Sequence, residues 1–74
     1  MTFVYRYDPD LERPAYTWEE LAKCAEREVG IRKRVYPNRV ETNRMTILAA
    51  DREIAMMVRI AEILRKAASG DLLL

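Results

Sequence analysis

From Ile47 to Ala68, apolar residues recur every three or four positions: Ile47, Ala50, Ile54, Met57, Ala61, Leu64 and Ala68. That spacing holds for three heptads and is the period of an amphipathic helix with one face against a neighbour. A second row widens the face, with Met56, Ile60, Ile63 and Ala67 on one flank and Val58 on the other. Arg52, Arg59 and Lys66 repeat every seven residues on the opposite side. More than half of the circumference is apolar, so the chain must fold into something that covers this helix. Thr46 is its predicted N-cap and Gly70 its terminator.

A first helix is predicted to begin at Trp18. The Thr17 hydroxyl can accept the free amide of Glu20, and Glu19 and Glu20 are suited to the positive end of a helix dipole. Trp18, Leu21, Ala22, Ala25 and Val29 form its apolar stripe, and Glu19 with Lys23 and Glu28 with Arg32 are acid-before-base pairs four residues apart. Gly30 weakens the helix by about 1 kcal/mol relative to alanine without stopping it. The helix is expected to run to Val35 and to end at Pro37. Residues 37–45 then form a turn region in which Asn43 is the best candidate for positive φ.

One 18-residue partner helix rich in alanine covers only part of the wide face of helix two, and burial is worth roughly 25 cal/mol per Å². Either the N-terminal aromatics cover the rest within one subunit, or a second copy does. The chain has 74 residues, which puts one small domain close to the size limit for independent folding. It has one cysteine, Cys24, and no histidine, so neither an intrachain disulfide nor the usual structural zinc sets can reinforce it. The expected architecture is therefore an all-α antiparallel helical hairpin with an extended N-terminal arm, dimerising as a four-helix bundle through Ile54, Met56, Met57, Ile60, Ile63 and Leu64.

In the arm, residues 1–16, Phe3, Tyr5 and Tyr7 alternate with Val4 and Arg6, which is the period of a strand. A single strand cannot stand alone. It must pair with its copy in another subunit, lie across the helices, or fray, and Asp8-Pro9-Asp10 followed by Pro14 ends regular structure there. Met1 to Tyr7 has no hydrophobic stretch or cleavage site of the secretory kind, and the apolar runs elsewhere are only a few residues long. Neither secretion nor a membrane span is expected, and a cytoplasmic location is the plain reading. The tail Asp71-Leu72-Leu73-Leu74 is expected to dock in an apolar groove or to fray.

Catalysis at neutral pH usually enlists histidine, and this chain has none. Cys24 lies mid-helix, away from a helix terminus, and reads as a partly buried, unreactive thiol. The acids flank the apolar stripes and alternate with arginine, unlike the inward Glu-x-x-His sets of metal-binding bundles, and no glycine-rich phosphate loop is present. No enzyme activity, cofactor or metal is expected.

Charge is uneven. Residues 1–31 carry a net −3, residues 32–44 a net +4, and residues 45–74 none. Arg32, Arg34, Tyr36, Arg39 and Arg44, with Arg52 from helix two, are the candidate partner surface. The same groups also suit a solvated hairpin end, or a lock in which Arg34, Tyr36, Pro37, Asp51, Arg52 and Glu53 join the two sides of the turn. Nucleic-acid binding through residues 32–44 is the alternative function, and an overall charge of +1 gives it little long-range attraction.

The run Arg-Glu-Val-Gly-Ile-Arg-Lys-Arg-Val-Tyr-Pro from Arg27 to Pro37, then Asn43 to Thr46, then Ala-Asp-Arg-Glu-Ile-Ala from Ala50 to Ala55, resembles a family of small uncharacterised phage and prophage proteins. The resemblance spans residues 18–66. Members usually carry Gly where this chain has Asn43, and a longer polar residue or Trp near Arg39 and Val40. It implies an accessory protein of a mobile element, with a host or phage macromolecule as partner, and no mechanism. The expected role is a non-enzymatic protein–protein interaction by a homodimer.

Overall fold

The computed structural model describes residues 3–11 and 15–70 and consists of two helices, α1 (Trp18–Glu41) and α2 (Ile47–Ala68), packed against each other. Arg65, near the end of α2, reaches Glu19 and Glu26 near the start of α1, and Arg32, midway along α1, reaches Glu53. The pair is therefore an antiparallel hairpin.

Both helices start as their sequences dictate. The Thr17 hydroxyl accepts the Glu20 amide at 3.1 Å, and the Thr46 hydroxyl accepts the Ala49 amide at 3.1 Å. Each satisfies one of the amides that a helix start leaves without a partner.

The end of α1 differs from expectation. The helix passes through Pro37 and stops at Glu41, so the connection is Thr42–Thr46 and not residues 37–45. Proline removes one backbone donor, which the Lys33 carbonyl would have accepted. Two things outweigh that loss. The half-buried Val40, four residues after half-buried Tyr36, carries the inward stripe of α1 past the proline. The end itself closes well: the Arg44 amide donates to the Arg39 carbonyl at 2.8 Å and the Asn43 amide to the Val40 carbonyl at 3.1 Å. This double closure requires a left-handed residue between them, and Asn43 has φ 59°. Gly70, with φ 76°, follows the end of α2 in the same role.

Ala22, Ala25, Ala50 and Ala61 are the only buried residues among those described, and no large side chain is fully enclosed. Alanine at the contact lets two helix axes approach closely, which leaves no room for bulk between them. Val29, Ile54, Met57, Val58, Leu64 and Ala68 are half-buried along the seam. Trp18 and Leu21, expected in the stripe of α1, lie off the contact line and remain exposed, as does Ile47 at the hairpin tip.

The described part of the arm does not cover α2. Residues 3–8 form neither helix nor strand, and Phe3, Val4, Tyr5, Tyr7 and Leu11 are exposed, Phe3 by 87%. A turn follows, in which the Asp8 carboxylate accepts the Asp10 amide at 2.9 Å and the Leu11 amide reaches the Asp8 carbonyl at 3.3 Å. Pro14 and the tail from Asp71 to Leu74 lie outside the described residues.

Two backbone positions give direct tests. A Cβ at Gly30 would meet nothing within 4 Å, so Gly30→Ala is expected to raise the unfolding free energy by about 0.5–1 kcal/mol in urea melts. Asn43→Val, which places a β-branched residue at positive φ, is expected to lower it by about 1 kcal/mol, and Asn43→Gly is expected to be neutral or stabilising.

Candidate functional site

Two arginines bridge the helices: Arg32, one of the residues expected on the partner surface, and Arg65, which is outside that set. Arg65 forms a two-pronged pair with Glu26, Nε to Oε2 at 3.0 Å and Nη2 to Oε1 at 2.7 Å, while its Nη1 takes Glu19. Arg32 donates through Nε to Glu28 at 3.0 Å and through Nη1 to the Glu53 carbonyl at 2.9 Å, with the Glu53 carboxylate at 3.4 Å. The Arg65 hydrogen bond holds the Glu26 carboxyl below its ordinary value, and the two carboxylates hold the Arg65 guanidinium above its own. Glu28, chiefly, does the same for Arg32.

With Arg32 occupied in this way, the six residues of the predicted partner surface do not gather on one side. Positions two apart on an α-helix point about 200° from each other, so Arg34 faces away from Arg32. By the same geometry Arg52, two residues after buried Ala50, points away from α1. Arg39 lies on the Arg32 side, seven residues on, with its guanidinium carbon 5.5 Å from the Tyr36 ring centroid. Arg44 is in the connection. Among the described residues Arg34, Arg39, Arg44 and Arg52 make no ion pair.

The predicted contact residues of α2 behave differently. Met56 is 53% exposed, Ile60 47% and Ile63 40%, in one row along the helix, while Ile54, Met57 and Leu64 are half-buried beside them. The structure adds a wall from α1. Leu21, Cys24 and Ile31 face Met57, Ile60 and Leu64 across an apolar groove of about 380 Å³, with Arg27 and Glu28 also lining it. Cys24 is exposed on this wall and not partly buried as its sequence position implied. The wall is legible in sequence as a second row at spacings of three and seven, hidden because Leu21 also fits the alanine stripe. A second groove, about 440 Å³, opens on the other side of the seam between Val29 and Val58 and is rimmed by Glu26, Lys33, Glu62 and Lys66.

No helix among the described residues is long and apolar enough to cross a membrane. Comparison with protein-family models, with curated proteins and with solved structures finds no match for the chain.

The Arg65 clamp predicts a pH dependence. The Glu26 carboxyl is depressed when folded, so its contribution is present above the unfolded value near 4.5 and is lost as pH falls through the lower folded value. Glu26→Gln is expected to lower the urea midpoint at pH 7 and to flatten the further loss of stability on acidification below pH 4.5. Equal acid sensitivity in both proteins would disconnect the clamp from stability.

Proposed function

We propose that this chain is a non-enzymatic protein–protein interaction module that acts as a homodimer through the outer flank of α2. The observation that carries this reading is the mismatch between the contact and the apolar residues beside it. The helices meet through four alanines, while Met56, Ile60 and Ile63 stay substantially exposed in a row and no other part of the described chain covers them. Such a row on a small helical domain marks a protein contact. A two-fold dimer presents the same row from both copies to each other.

The resemblance to small phage and prophage proteins supplies the setting of the proposal, an accessory protein of a mobile element with a host or phage macromolecule as its further partner. Nucleic-acid binding through residues 32–44 draws less support, because Arg32 is engaged by Glu28 and Glu53 and Arg34 lies on the opposite side of α1.

Sedimentation equilibrium at micromolar concentration is expected to give a dimer. Ile60→Asp is expected to weaken that dimer by about 2 kcal/mol or more with helicity retained, since the charge would be buried unpaired at the centre of the contact. A wild-type monomer under the same conditions overturns the reading.

A further inference from the structure

We propose that the N-terminal arm of each copy, residues 3–11, lies in the groove between α1 and α2 of the other copy, so that the dimer is an exchange of arms as well as a contact of helices. The inference rests on the homodimer and names what fills the surface that the α2 flanks leave open.

Among the described residues, the apolar side chains of both halves of this arrangement are exposed. The arm exposes Phe3, Tyr5 and Tyr7 by 87%, 74% and 78%, and its turn closes on itself through the Leu11 amide and the Asp8 carbonyl. The groove is apolar along both walls, with Leu21 and Ile31 still over a third exposed and Cys24 between them.

The dimensions agree. Five residues of extended chain span about 17 Å, and the ten-residue step from Leu21 to Ile31 rises about 15 Å. Alternate side chains of an extended arm recur about every 6.6 Å, near the 5.4 Å helical pitch that spaces the groove walls. Area points the same way. A stable interface takes roughly 800 Å² from each partner. Three half-exposed side chains on the α2 flank fall well short of it, whereas three aromatics, at roughly 150–250 Å² each, supply most of what is missing. Charge is complementary too. Arg27 on the groove wall has no ion pair among the described residues, and the arm continues into acidic Asp8. Two identical arms on two identical grooves satisfy a two-fold axis.

Cys24 makes the arrangement testable in the full-length chain. Phe3→Cys, Tyr5→Cys and Tyr7→Cys are each made together with Cys24→Ser, and each is mixed with a mass-tagged wild-type chain under mild oxidation. At least one position is expected to give a disulfide-linked heterodimer with wild-type Cys24. In parallel, Phe3→Ala/Tyr5→Ala/Tyr7→Ala is expected to raise the dimer Kd about tenfold or more by sedimentation, with helicity unchanged. A dimer that gives no arm-to-Cys24 link at any of the three positions, and whose Kd ignores the alanine changes, overturns the arm exchange and leaves the homodimer standing. The same cysteines placed in chains that keep Cys24 overturn the exchange if they close only within one chain. A wild-type monomer overturns both readings.

Discussion

The close approach of two helices at Ala22, Ala25, Ala50 and Ala61 decides nearly everything else about this structure. A methyl group at the contact brings the axes together and leaves no space for a larger side chain between them. Burying one methyl-sized group is worth about 0.8 kcal/mol, so four of them offset only a small part of the entropy of ordering two helices. The bulk that would ordinarily form a core is displaced to the sides of the seam. Its apolar surface is therefore available for association and absent from the core of the single chain.

The polar contacts are consistent with that division. Arg65 and Arg32 join the helices at two levels, near the open end and midway along the hairpin. These groups are partly exposed, and ion pairs of this kind contribute little to stability because water competes for them. Their geometry is more telling. A guanidinium that bonds two partners on the opposing helix, or one partner on each helix, is satisfied at a single axial offset, so the arginines select the register in which the four alanines are buried along the seam. Arg65 and the alanines then define the same seam, which places Met56, Ile60 and Ile63 on its outer flank.

Two kinds of surface result, and they differ in character. One side of the hairpin is an apolar groove flanked by a row of large aliphatic residues, and the described part of the arm is rich in exposed aromatics. The hairpin end is cationic by composition, yet its charges are dispersed: one arginine is engaged between the helices, one stacks on Tyr36, and two point outward. The apolar surface is thus concentrated on one side of the hairpin, and the cations are spread around the rest.

Much of the hairpin was legible in the residues alone. Thr17 and Thr46 as caps, Asn43 at positive φ, and α2 from Ile47 to Ala68 follow from local hydrogen bonding and from periodicity, which need only neighbouring residues. The exposed row of α2 was also readable, since a stripe wider than its partner must leave a flank. The end of α1 was not. Pro37 announces a stop locally, and the helix continues because Val40 carries the inward stripe past the proline and the connection closes the helix's carbonyls. Nor could sequence show that Arg32 and Arg65, and not Arg34 or Arg52, would bridge the helices, or that Cys24 with Leu21 and Ile31 would form a groove wall. Those outcomes depend on the rotation and offset of one helix against the other. The sequence by itself determined two amphipathic helices, their caps and a surplus of apolar face. Only the tertiary structure decided which residues the alanine seam turned outward, because interhelical register is set by contacts between residues far apart in the chain.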